Sequence, residues 1–105
     1  MEQPNKSYIK SLSGGNIEFE KKLITVIKSE FPIEKETYLK NITAKKYIET
    51  AENVHKLKHK ISILGLEKSY EIAAQYENEL RENNTNLKDE FDTILKTITD
   101  YLITL

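Results

Sequence analysis

Apolar residues recur at intervals of three and four along most of this chain, the spacing of one face of an α-helix. Residues 1–15 predict a short helix after Pro4, with Tyr8, Ile9 and Leu12 on its apolar side. Four longer helices are predicted to follow. The apolar positions of the first long helix are Ile17, Leu23, Ile24, Ile27, Phe31, Leu39 and Ile42. The last helix has the cleanest pattern, formed by Leu87, Phe91, Ile94, Ile98, either Tyr101 or Leu102, and Leu105.

Helix boundaries follow from capping and helix-breaking residues. Asn16 is a candidate N-cap for the first long helix, and Thr43 for the second. Pro32 falls inside the first pattern, so we expect one kinked helix to about residue 41, with a break at the proline as the alternative. Gly65 separates the second and third long helices.

The last connection lies in the polar cluster ENNTN. In it, Asn86 with Asp89 three residues later resembles a capping pair that would begin the final helix.

Composition favours long helices joined by short connections, because the 105 residues include only three glycines and two prolines. The predicted fold is all-α, an antiparallel up-down four-helix bundle preceded by a short N-terminal helix. Residues 1–15 would form that N-terminal capping helix and residues 16–105 the bundle, within a single domain.

Charge and cysteine content narrow the classes of function. Sixteen basic residues balance 17 acidic ones, which argues against a nucleic-acid binder that works through bulk charge. The absence of cysteine excludes a disulfide framework and a thiolate metal site. No apolar run approaches about 18 residues, and no leader pattern is present. We therefore expect a cytoplasmic protein with no membrane partner.

Both histidines of the chain lie in one lysine-rich stretch, ENVHKLKHKISILGLEKS. His55 has Ala51, Lys58 and Ser62 as its neighbours on the helix face, whereas a core histidine usually has large apolar ones. His55 and His59 are four residues apart, a spacing that can place two ring nitrogens on one metal ion. The nearby lysines and the absence of an obvious third ligand disfavour that alternative.

A third possibility is that His55 carries a phosphoryl group. This role requires solvent access, a free Nε2, a nearby cation and an acceptor for Nδ1–H. Lys58, one turn along, can supply the cation. His55 lies about 15 Å from Gly65 along the helix, and residues such as Gln75 and Glu77 reach that height on an antiparallel neighbour. Glu77 follows Tyr70 and Ala73 along the side that faces the second long helix, and it can hold Nδ1–H.

The segment HKLKHKISILGL resembles the histidine-containing phosphotransfer (HPt) domain family. The family motif has a phosphoacceptor histidine, an apolar residue at +2, lysine at +3, usually glycine at +4 and an apolar–glycine pair at +9 and +10. The corresponding residues here are His55, Leu57, Lys58, His59, Leu64 and Gly65. Glu77 occupies position +22, where the family often has Gln or Glu hydrogen-bonded to the imidazole. His59 departs from the usual glycine, and Lys60 from a usual small residue.

The resemblance implies a phosphorelay carrier that exchanges a phosphoryl group with the aspartyl phosphate of a response-regulator receiver domain. A hybrid sensor histidine kinase is a further implied partner. The carrier itself would need no cofactor, because Mg²⁺ is expected on the receiver. No phosphate-binding glycine motif of ATP-dependent enzymes occurs in the sequence, so we expect a phosphotransfer intermediate without kinase activity.

Partner docking is assigned to the basic helix around His55. Its predicted docking residues are Lys56, His59, Lys60 and Ser62. The lysines would attract a receiver whose pocket is lined by carboxylates. On charge alone, a solvated helix face would be the preferred explanation of the same lysines. Two alternatives stay open: a helical binding module that docks on a receiver or kinase without accepting phosphate, and a metal-binding protein that uses both histidines.

Overall fold

The computed structural model describes residues 2–105, which form five helices and no strand; Met1, part of the predicted segment 1–15, lies outside this range. The predicted all-α class is therefore confirmed. The helices are α1 (Ser7–Ser13), α2 (Ile17–Thr43), α3 (Tyr47–Ile63), α4 (Glu67–Leu80) and α5 (Lys88–Ile103). Consecutive helices contact each other along the chain from α1 to α5, and α2 also contacts α5.

The end of α1 and the start of α2 agree with the boundaries predicted from the sequence. Gly14 adopts a left-handed conformation (φ 57°) after the last residue of α1. The side chain of Asn16 accepts a hydrogen bond from the Phe19 N–H at 3.1 Å, which confirms the predicted N-cap of α2. Pro32 lies inside α2, and this helix continues without a break to Thr43. Burial of Phe31, Tyr38 and Ile42 on either side of the proline stabilises the continuous helix.

Two predicted caps are wrong. Thr43 is the last residue of α2, and α3 begins at Tyr47 after Lys45, which has a φ of 59°. Asn86 does not cap α5, which begins at Lys88; instead the Asn86 N–H donates to Asn84 Oδ1 at 2.8 Å. A side-chain cap contributes only about 1 kcal/mol, so packing on the core decides where these helices end.

The core contains the apolar faces of all five helices. In α3 and at its C-terminal end, the fully buried apolar residues are Ala51, Val54, Leu57, Ile61 and Leu64. Two tyrosines, Tyr38 of α2 and Tyr76 of α4, are also fully buried. Tyr38 was absent from the predicted apolar pattern, whereas Ile17, which was in it, is exposed. None of the helices within residues 2–105 has the length and apolar character needed to cross a membrane.

The N-terminal segment holds the turn between α3 and α4. The Asn5 N–H donates to the Leu64 carbonyl at 2.9 Å, and the Glu2 carboxylate accepts from the N–H groups of Lys68 and Ser69 at 3.0 Å. Gly65 has a φ of 78°, and a Cβ at this position would lie 2.6 Å from Nδ2 of the Asn5 side chain. The turn therefore has a fixed geometry, which determines which residues of α3 lie opposite which residues of α4.

Candidate functional site

His55 of α3 and Glu77 of α4 meet on one side of the molecule. His55 Nδ1 lies 3.2 Å from both Oε1 and Oε2 of Glu77. The two side chains differ in exposure: 51% of the His55 side chain is accessible to solvent, but only 11% of Glu77. A largely buried carboxylate thus holds one ring nitrogen of a half-exposed imidazole.

Glu77 also contacts two cations. Lys58 Nζ lies 3.1 Å from Oε1, and Arg81 Nη2 lies 3.5 Å from Oε2. Burial raises the pKa of Glu77, but the hydrogen bonds from Lys58 and His55 lower it by more. The pKa is therefore below its ordinary value. Glu77 is therefore ionised at neutral pH, and it can only accept hydrogen bonds.

The ionised carboxylate selects one tautomer of the neutral imidazole. Because Glu77 is an acceptor, the neutral His55 ring places its proton on Nδ1 and leaves a lone pair on Nε2. Among the described residues, Nε2 has no hydrogen-bond partner. This arrangement of an oriented ring, a buried carboxylate and an unprotonated outward nitrogen suits nucleophilic attack by Nε2.

Lys58 is held close to the site. Only 14% of its side chain is accessible, and its ammonium group lies between the Glu77 carboxylate and the Tyr70 ring, 5.5 Å from the ring centroid. The predicted cation thus lies beside the predicted acceptor histidine, but its charge is engaged by Glu77. Any phosphate on His55 would have to compete with that carboxylate for Lys58.

The residues predicted to dock a partner fall into two groups. Lys56, His59 and Ser62 are exposed on α3. Lys60, in contrast, is only 12% accessible and pairs with Glu30 at 2.8 Å and Glu34 at 3.4 Å, both on α2. The ammonium group of Lys60 therefore ties α3 to α2.

His59 lies against His55. Their ring centroids are 5.2 Å apart, and the ring planes are nearly perpendicular at 88°. The side chain at position +4 of the motif, where glycine is usual in the family that the segment resembles, therefore packs on the His55 imidazole. Residues 2–105 contain no group of three or more His, Cys, Asp or Glu side chains suited to bind a metal ion.

Arg81 is the site residue that sequence reasoning missed. It is the only arginine in the sequence and follows Glu77 by four residues, the spacing of side chains that contact each other on a helix. That spacing was a usable signal once Glu77 was chosen. It was obscured because Arg81 lies at the end of α4, beside the polar cluster that predicts a turn.

Comparison with known proteins found no matching family model, no matching curated protein and no matching solved structure. Function must therefore be argued from the geometry of the site itself.

Proposed function

We propose that this protein is a phosphohistidine carrier of a phosphorelay, with His55 as the phosphoacceptor. The observation that carries the proposal is the His55–Glu77 pair, in which a largely buried carboxylate holds Nδ1 of a half-exposed side chain and Nε2 has no hydrogen-bond partner among the described residues. A buried structural histidine would need neither the exposure nor the free nitrogen. A merely solvated histidine would not need a desolvated carboxylate behind it, since burying an ionised group is costly without partners.

The proposed reaction transfers a phosphoryl group between a carboxylate and an imidazole. Nε2 of neutral His55 attacks the phosphorus of the receiver's aspartyl phosphate, the bond between phosphorus and the aspartate oxygen breaks, and the aspartate leaves as a carboxylate. The ring keeps its Nδ1 proton and gains a positive charge, which the Glu77 carboxylate stabilises. Lys58 is the proposed cation for the phosphoryl oxygens. Transfer to a second receiver reverses these steps.

Contacts between the helices support the finer fold proposal, an antiparallel four-helix bundle made of α2–α5 with α1 against one end. Asn41 of α2 bonds to Asn53 of α3, whereas Lys60, further along α3, reaches back to Glu30. On α5, likewise, Asp92 bonds to Tyr38 and Thr99 to the earlier residue Lys35. Residue numbers rise on one helix as they fall on its neighbour, which is the relation expected in an up-down bundle.

The proposed partner is a response-regulator receiver domain, with a hybrid sensor histidine kinase as a further partner and the cytoplasm as the expected compartment. Lys56, His59 and Ser62 surround His55 as exposed docking residues. The acidic pocket of a receiver, with its Mg²⁺, complements the positive charge of the exposed Lys56 next to His55. No nucleic-acid or membrane partner is proposed.

The experiment that tests the proposal combines the purified protein with a phosphorylated receiver domain and Mg²⁺. We expect an acid-labile, base-stable phosphoramidate signal by ³¹P NMR, and we expect His55→Gln to abolish it without loss of fold. His59→Gln removes the neighbouring imidazole, which belongs to the proposed docking surface, so it should slow labelling by the receiver without abolishing it. Label retained in His55→Gln would disprove the assignment.

One observation favours a second function, a binding module that docks without accepting phosphate. The His59 ring packs against His55 where the family usually has glycine, and this reduces the room for a partner beside Nε2. Stable binding to a receiver, with no label from either the receiver or a small phosphodonor, would favour the module over the carrier.

A further inference from the structure

Three positively charged or proton-donating groups converge on the single carboxylate of Glu77. They come from His55 at 3.2 Å, Lys58 at 3.1 Å and Arg81 at 3.5 Å. Lys58 and Arg81 contact different oxygens, Oε1 and Oε2 respectively. A single ion pair with His55 or Lys58 would suffice to neutralise one carboxylate, so the second cation requires an explanation.

The proposed carrier function creates a conflict for Lys58. A phosphoryl group on Nε2 adds negative charge beside Glu77, which is itself ionised and only 11% accessible. If Lys58 turns to the phosphoryl oxygens, Glu77 loses its closest cation while the local negative charge increases. A largely buried carboxylate left without a cation is destabilised unless another cation replaces the lost one.

We propose that Arg81 is a positioning residue that neutralises Glu77 and thereby releases Lys58 to the phosphoryl group. Arg81 lies four residues after Glu77 on the same helix face, and its side chain is 44% accessible, so it can move closer to the carboxylate without repacking the core. Its guanidinium has five N–H donors in a planar fork that matches a carboxylate. The inference rests on the proposed function, because the exchange of partners is needed only when His55 accepts phosphate.

A double-mutant cycle tests this role with potassium phosphoramidate as the phosphodonor, since a small donor requires no docking surface. The rate of His55 phosphorylation is measured in the wild type, Arg81→Gln, Glu77→Gln and the double variant. We expect Arg81→Gln to slow phosphorylation about three- to tenfold in the wild-type background, as expected for an ion pair to a largely buried carboxylate. In the Glu77→Gln background we expect less than about a twofold effect, because Lys58 is already free.

Two variants separate this role from general effects of charge and stability. Arg81→Lys keeps a cation within reach of Glu77 and should restore most of the rate. Lys40→Gln removes a cation from another i,i+4 ion pair, with Glu36 on α2, and should leave the rate unchanged. Equal slowing by Arg81→Gln in both backgrounds would overturn the inference, because Arg81 would then act on the phosphoryl group directly. No slowing in either background would overturn it as well.

A second readout does not depend on phosphorylation. In a ¹³C NMR titration of the Glu77 carboxyl, we expect Arg81→Gln to raise the pKa of Glu77, and more so when Lys58 is also replaced by Gln. If the wild type takes no label while these shifts occur, the carrier proposal fails and the neutralising role of Arg81 stands. If Arg81→Gln leaves the pKa of Glu77 unchanged in both backgrounds, the inference fails even in a protein that is phosphorylated.

Discussion

Two polar clusters each include a residue of helix α4, and they differ in burial and in how completely their polar atoms are paired. The adjacent residues Tyr76 and Glu77 belong to different clusters, one in the core and one at the surface. In the core, the Tyr38 hydroxyl donates to Asp92 Oδ1 at 2.9 Å and accepts from the Tyr76 hydroxyl at 2.8 Å. The Phe91 ring packs against both tyrosine rings, with centroids 5.2 and 5.1 Å away.

The core cluster is closed, whereas the surface cluster is open. Both tyrosines are fully buried, and burial raises the pKa of Tyr76 to about 12 and raises that of Tyr38 as well, so both phenols stay protonated as donors. At the surface, His55, Lys58 and Arg81 all contact the Glu77 carboxylate, but Nε2 of the half-exposed His55 side chain has no hydrogen-bond partner in the described chain. A closed network stabilises the fold, and an open one retains a group that can react.

The largest expected effect comes from breaking the core cluster. Tyr76→Ala removes a fully buried ring, and we expect the free energy of unfolding to fall by about 3–5 kcal/mol. Urea denaturation followed by circular dichroism measures the change. Tyr70→Ala is the matched control, because Tyr70 lies on the same helix but is partly exposed, and we expect a loss of about 1 kcal/mol. Equal losses would show that the core cluster has no special part in stability.

A smaller effect is expected when only one hydroxyl is removed. Tyr38→Phe keeps the ring but leaves the Tyr76 hydroxyl and Asp92 without their shared partner, which should cost about 1–3 kcal/mol. The rate of His55 phosphorylation in the folded protein should not change. Tyr8→Phe, at an exposed tyrosine, should leave stability as it is. A slower phosphorylation in Tyr38→Phe would mean that the two clusters are coupled through α4.

Acid should affect the surface cluster specifically. The folded-state pKa of Glu77 is lowered from its ordinary value of 4.5, because the hydrogen bonds from Lys58 and His55 outweigh the effect of burial. Its contribution to stability is therefore complete above pH 4.5 and is lost as the pH falls through the folded-state pKa. Chemical denaturation across the acid range should give a flatter profile for Glu77→Gln than for the wild type. Tyr38→Phe should lower the profile without changing its shape, and an unchanged profile in Glu77→Gln would contradict the prediction.

The smallest effect on stability is expected at the rim of the site. Lys56 is exposed, and no ion pair to it is found within residues 2–105. Lys56→Gln should change the free energy of unfolding by less than about 0.5 kcal/mol. It should slow transfer from a receiver at low salt, because rim charges act on association, and leave labelling by phosphoramidate unchanged. A loss of both activities would place Lys56 in the reaction and not in docking.

Local signals in the sequence were sufficient for much of the fold. The helical periodicity identified α2–α5, and the Asn16 cap was correct because both partners of its hydrogen bond lie within one turn. The Thr43 and Asn86 caps were wrong because a cap competes with packing that sequence patterns do not show. Tyr38 was missed for a related reason: a tyrosine is buried when its hydroxyl finds partners, and those partners lie on α4 and α5.

The sequence by itself determined the helical class and brought His55, Lys58 and Glu77 forward as candidates, because periodicity and distance from a turn are properties of the chain. Only the tertiary structure decided how their charges are distributed. It binds Lys58 to Glu77, turns Lys60 toward α2, packs His59 on His55 and adds Arg81 to the carboxylate. The physical reason is that a side-chain charge is satisfied by whichever opposite charge lies within a few ångströms, and packing between helices determines which one that is.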